Sequence, residues 1–79
     1  SPSYFHTLFK QTLGTTPHRY LCNLRLSYAK SLLLNSTKSI AQIAELCGFE
    51  TQSYLTYVFQ KELHITPKYY REHEMRVIL

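Results

Sequence analysis

Aspartate is missing from this chain altogether, and its five acids are all glutamate. No Ser/His/carboxylate set stands at a recognisable catalytic spacing, and no Gly-rich phosphate loop is present, so the sequence does not read as an enzyme. Glycine occurs only twice, at Gly14 and Gly48, and each follows an apolar periodic stretch at a place where a helix must end. Long apolar runs are absent too. The longest aliphatic stretch is Leu32 to Leu34, far short of the roughly 18 residues of a membrane span, and the N-terminus does not have the charged-then-apolar form of a signal peptide. We therefore expect no membrane partner and a cytoplasmic location. Cysteine is limited to Cys22 and Cys47, with no C-x-x-C, and His6, His18, His64 and His73 form no H-x-x-x-H or Cys/His cluster. That pattern predicts two free thiols in a reducing compartment, no metal and no cofactor.

What is present points to a binding module. A chain of 79 residues makes one small domain with little room for a buried pocket and lid. Its 44% hydrophobic content, with seven Tyr and four Phe, is enough for a packed core. Nine Lys and Arg against five Glu leave a net charge of +4 and a pI near 9.2, which suits a polyanionic partner.

Residues 39–63, SIAQIAELCGFETQSYLTYVFQKEL, organise the chain. Ser39 and Gln42 have the spacing of a capping box, and Ile40, Ile43, Ala44 and Cys47 then share one helical face. Gly48 turns the chain. Thr51 can cap a second helix whose apolar residues Leu55, Val58, Phe59 and Leu63 lie on one side, with Ser53, Thr56, Tyr57 and Gln60 on the other. Two short helices around a tight Gly turn, the second with a buried back and a polar, uncharged front, describe a helix-turn-helix whose second helix enters the DNA major groove. An αα-hairpin of a helical bundle has the same local pattern.

Residues 1–14 repeat the second of those helices. Ser1 and Pro2 suit a helix start, Gly14 suits its end, and Phe5, Leu8, Phe9 and Leu13 form an apolar stripe. Laid over 51–70 at a shift of 50, residues 1–20 match Ser3 with Ser53, Tyr4 with Tyr54, Phe9 with Phe59, Leu13 with Leu63, Thr16 with Thr66, Pro17 with Pro67 and Tyr20 with Tyr70. Seven identities in twenty positions indicate an internal duplication, and hence two readers on one partner. The counterpart of the helix at 39–47 would fall before residue 1, so the first unit is expected to be incomplete and the chain to be the C-terminal piece of a longer protein.

Between the copies, Thr16 and Pro17 start a long helix that Asn35, a residue suited to a left-handed end, is expected to close. Tyr20, Leu21, Leu24, Tyr28 and Leu32 line one face and Leu26, Ala29 and Leu33 another, so this rod is expected to be shared between two small cores. Residues 35–38 lead to Ser39, and Thr66 and Pro67 start a last helix carrying Tyr69, Tyr70 and Arg71 before the apolar tail MRVIL.

The runs SPSYFHTLFKQTLGTTPHRYL, LRLSYAKSLLLNSTKSIAQIAELCGF and QSYLTYVFQKELHITPKYYR, in that order, resemble the AraC/XylS transcription regulators from Ser1 to about Arg71. The resemblance implies an all-α fold of two homeodomain-like helix-turn-helix units joined by a long linker helix, the first unit incomplete. It divides the chain into a first reading helix at 1–14, a linker helix at 15–36, a second helix-turn-helix at 37–63, and a C-terminal helix and tail at 64–79. It also implies sequence-specific binding to double-stranded promoter DNA, as the C-terminal part of a protein whose other domain senses a signal and which meets RNA polymerase. Carried over by position, Ser3, His6, Thr7 and Lys10 would read bases from the first helix, and Gln52, Ser53, Thr56 and Tyr57 from the second. Arg19, Arg25, Lys61, Lys68 and Arg71 are the candidates for phosphate contact. The second reading helix has no Arg for bidentate guanine contact, which leaves Gln52 to adenine and Thr56 and Tyr57 to a thymine methyl or the backbone. A helical protein-interaction module using its seven tyrosines is the alternative, and salt dependence separates the two.

Overall fold

The computed structural model describes residues 2–74, with side chains from Tyr4 onward. The expected cap at Ser1 and the tail 75–79 lie outside the described residues. Five helices follow in order: α1 (Pro2–Leu13), α2 (Pro17–Asn35), α3 (Ile40–Leu46), α4 (Gln52–Leu63) and α5 (Pro67–His73). Among the described residues there is no strand.

Each start after α1 is set by a hydroxyl. The side-chain oxygens of Thr16, Ser39, Thr51 and Thr66 accept from the backbone N–H of Arg19, Gln42, Tyr54 and Tyr69 at 3.2, 3.1, 3.0 and 3.0 Å. Each such cap stabilises its helix by about 1 kcal/mol. At α3 the Gln42 side chain also accepts from the Ser39 N–H at 2.9 Å, completing the capping box that the sequence predicts.

The helix ends divide into two kinds. Cys47 closes α3, and Gly48 follows at φ 83°. The Gly48 N–H donates to Glu45 O at 3.2 Å and the Phe49 N–H to Ala44 O at 2.9 Å, which is the Schellman arrangement. A Cβ at Gly48 would lie 2.9 Å from the Nε of Arg25, a flexible side chain that can move aside, so it is the left-handed backbone that calls for glycine there. The other turn is duplicated. Gly14 at φ 75° ends α1 and His64 at φ 64° ends α4, with their N–H groups donating to Lys10 O and Gln60 O at the same 2.8 Å. The shift of 50 therefore pairs two left-handed turns although their side chains differ.

Asn35 corrects one expectation. It is the last residue of α2 and has no left-handed backbone; its Nδ2 donates instead to Ser31 O at 3.0 Å. The helix is closed by extended Ser36, whose N–H and hydroxyl both donate to Leu32 O, at 3.1 and 2.7 Å. A side chain able to satisfy the terminal carbonyl removes the need for a left-handed cap.

The core is drawn from α2, α3, α4 and the turn between the last two: Leu26, Ala29, Leu33, Ile43, Ala44, Cys47, Phe49, Leu55, Val58 and Phe59. From α5, Tyr70 lays its ring edge-on against Phe59, with centroids 5.3 Å apart, and Pro67 is buried. Among the described residues the rod thus serves one packed core rather than the two expected. Its other face, Tyr20, Leu21, Leu24 and Tyr28, stays about half exposed, as do Phe5, Leu8 and Leu13 of α1. Phe9 alone of that stripe is half-buried, against Phe5 and Tyr20 at 5.7 Å each. The short helix that covers Leu55, Val58 and Phe59 in the second unit has no counterpart over α1 among the described residues.

Candidate nucleic-acid interface

Burial of Leu55, Val58 and Phe59 dictates which way α4 faces. At 3.6 residues per turn the intervening positions must point outward. Gln52, Ser53 and Tyr57 are exposed, Thr56 is half-buried, and together with Gln60 they line one open concavity of about 510 Å³ along the helix. No charged side chain lines it. Tyr57 is stacked on Tyr54, with centroids 6.3 Å apart and planes 20° from parallel, and Tyr54 in turn leans on the buried Phe49. The front of the helix is thereby fixed to the turn behind it. Gln60 belongs to this surface and was not among the base-reading candidates, although its place on the polar face of the period already marked it.

The first set of candidates stands apart, on α1. His6, Thr7 and Lys10 are exposed there, and the Ser3 side chain lies outside the described ones.

The cations behave differently from one another. Lys61 and Lys68 are exposed. Arg19 is held by Glu62, with Nη1 to Oε1 at 2.6 Å and Nη2 to Oε2 at 2.9 Å. That hydrogen-bonded partner raises the Arg19 pKa and draws the Glu62 carboxyl below the usual carboxylate range. Arg71 turns inward, donating from Nε to Leu33 O at 3.0 Å and from Nη2 to Ser36 O at 3.2 Å, where α2 ends and the loop to α3 begins. Arg25 is half-buried against Gly48. Three of the five phosphate candidates therefore already have protein neighbours for their guanidinium groups. Partners 43 and 38 residues away leave no local signal in a sequence.

The thiols are free, Cys47 buried and Cys22 half-buried. Burial pushes the Cys47 thiol above its ordinary pKa. No group of three or more potential metal ligands converges among the described residues, and no described helix is long and apolar enough to cross a membrane.

A family model described as a helix-turn-helix domain matches residues 1–73. The chain belongs to the AraC-type helix-turn-helix family. Members similar to it include the transcriptional activator RhaR of Yersinia pseudotuberculosis, 42% identical over 69 residues, a match covering 87% of this chain and 24% of that protein. The chain spans about a quarter of the length of such curated relatives. Among similar solved structures, the C-terminal domain of the two-component response regulator yesN from Fusobacterium nucleatum is 39% identical with a TM-score of 0.86, covering 90% of this chain and 69% of that one. The DNA-binding domain of AdpA, solved with a target DNA, is 30% identical with a TM-score of 0.87, covering 91% and 65%.

Proposed function

We propose that this chain is the sequence-specific DNA-binding part of a transcription regulator, and that α1 and α4 enter successive major-groove segments of a promoter. The observation that carries the reading is the α4 face: Gln52, Ser53, Thr56, Tyr57 and Gln60 are turned outward on one uncharged surface by a fully buried back. Amides and hydroxyls there offer donors and acceptors to base edges, and the net +4 charge supplies phosphate attraction from elsewhere on the molecule. The DNA complex of AdpA supports the same reading.

Gln52 is assigned to an adenine, with Ser53, Thr56 and Tyr57 beside it, and Ser3, His6, Thr7 and Lys10 are the corresponding positions of α1. Of the five phosphate candidates, Lys61 and Lys68 are exposed and available for that contact. Arg19, Arg25 and Arg71 serve the fold first. The domain division follows the helices, with α1 as first reader, α2 as linker, α3 and α4 as the second unit and α5 as its close. The parent regulator works in the cytoplasm, with RNA polymerase as its eventual partner, and this domain itself performs no enzymatic chemistry.

Affinity selection from a randomised duplex pool tests the assignment. Gln52→Ala is expected to relax preference at one base position by about 1 to 3 kcal/mol while leaving random-duplex affinity and its salt slope nearly unchanged. An unchanged motif after that substitution refutes base reading through Gln52. Binding to random duplex that does not weaken between low and moderate salt would instead favour a protein partner for the exposed tyrosines.

A further inference from the structure

The two reading helices are connected through the first turns of α2. On one side, the Phe9 ring of α1 meets Tyr20 edge-on, with centroids 5.7 Å apart and planes at 70°. One residue earlier on α2, Arg19 holds the last turn of α4 through both oxygens of Glu62. We propose that Arg19 and Glu62 are positioning residues that fix the separation and angle between α1 and α4, and with them the spacing of the two base blocks that the chain prefers. The inference rests on the DNA-reading function proposed above.

Geometry carries this more than energy does. The side chains are 50% and 22% exposed, and a solvated ion pair adds little to stability. A bidentate guanidinium–carboxylate pair is nevertheless planar and directional, so it restrains orientation in a way that a point-charge contact does not. The seam it spans is open. An apolar-and-polar cleft of about 190 Å³ runs between α2 and α4, lined by His18, Cys22, Tyr54, Tyr57 and Lys61 together with the pair itself. Side-chain packing therefore does not fill this end of the seam, and the pair bridges it. Tyr57 contributes to both the cleft wall and the outward face of α4, so a change in the seam is transmitted to the reading surface. The hydrogen bond from Arg19, with smaller contributions from Lys61 and His64, lowers the Glu62 pKa further below the usual carboxylate range, so the pair is charged at neutral pH.

Glu62→Gln keeps the size and removes the charge, and the double variant R19E/E62R restores opposite charges in reversed order. The unaltered chain and both variants are put through selection from a randomised duplex pool, and affinities are then measured for duplexes carrying both enriched blocks at varied separations or one block alone. For the unaltered chain, a one-base-pair change in separation is expected to weaken binding about tenfold; for E62Q the loss should be about threefold or less, with single-block affinity within about twofold of the original. R19E/E62R should regain much of the sharp spacing preference. Should E62Q fail to fold by circular dichroism, Glu62→Asp takes its place, retaining charge while shortening the reach, and is expected to shift or broaden the preferred separation. Sharp, unmoved spacing in the substituted chain overturns the proposal, as does a uniform loss of affinity for every duplex, which a purely structural role would give. A single enriched block with the unaltered chain overturns it while leaving DNA reading intact. No enriched motif at all overturns DNA reading, and this inference with it.

Discussion

Phe9 and Phe59 occupy the same place in the two copies, and truncating each to alanine removes the same atoms from different surroundings. Phe59 has no solvent exposure, sits among the residues that orient α4, and has Tyr70 edge-on against it. Phe9 is half-buried between Phe5 and Tyr20. A phenylalanine-to-alanine change in a closed core costs about 3–5 kcal/mol, part transfer and part cavity. At Phe9 the ring is already partly wetted and the hole opens to solvent, so the transfer part alone remains, about 1 kcal/mol. A domain of this length has about 4–12 kcal/mol of total stability. Phe59→Ala therefore removes about a quarter of it or more, and Phe9→Ala a small part. With a urea slope of about 1 kcal/mol per molar, the midpoint should fall by about 3–5 M for Phe59→Ala and by about 1 M for Phe9→Ala. Equal shifts, or a larger one for Phe9, would refute the claim that one copy of the repeat carries the core and the other rests on it.

Three further outcomes follow from local chemistry. His64 is the non-glycine residue at positive φ among those described, so His64→Gly should relieve about 1 kcal/mol of left-handed strain, lose part of that to unfolded-state entropy, and raise the melting temperature slightly, whereas His64→Val should lower it; the opposite order in thermal melts would be decisive against the strain account. Arg19 holds the Glu62 carboxyl below its unfolded value, so the contribution of the pair is present above that value and is lost as pH falls through the lowered one. Melting curves between pH 6 and pH 3 should accordingly show a slightly steeper acid loss for the unaltered chain than for Glu62→Gln, and a steeper loss in Glu62→Gln would contradict the lowered carboxyl. A thiol reagent applied to the folded chain should modify Cys22 and spare Cys47, which is buried and has its pKa pushed up; two equivalents reacting at one rate without denaturant would contradict that burial.

Much of this architecture was legible because its signals are local. Ser39 and Gln42 lie three residues apart, as do Thr16 and Arg19, so a hydroxyl before a periodic stretch was enough to place helix starts. The inward residues of α4 followed from period alone, and its outward face with them. Asn35 was misjudged because propensity names residues that can turn left, while the neighbouring Ser36 hydroxyl decided that no turn was needed. His64 went unread although the shift of 50 aligns it with Gly14; conformation was shared across the copies while the side chain was not. The guanidinium groups are the deeper failure. Whether Arg19, Arg25 and Arg71 face solvent or protein depends on how α2 meets α4, the turn and α5, and helical periodicity says nothing about such distant pairings. The half-exposed face of α1 and α2 lay between these cases: its apolar pattern was plain, while only the fold could tell which of the two faces of the rod becomes core.

The clamp from Arg71 onto the carbonyls of Leu33 and Ser36 has a consequence for the order in which the molecule can be finished. Synthesis delivers the chain N-terminus first. When Ser36 is added to the growing chain, the residue that will bind its carbonyl is still 35 positions from being made. The junction from which the rod hands over to α3 therefore stays unlatched through the synthesis of both helices of the second unit, and it closes only once α5 has emerged. The second unit is therefore secured last, by the helix that is made last among those described.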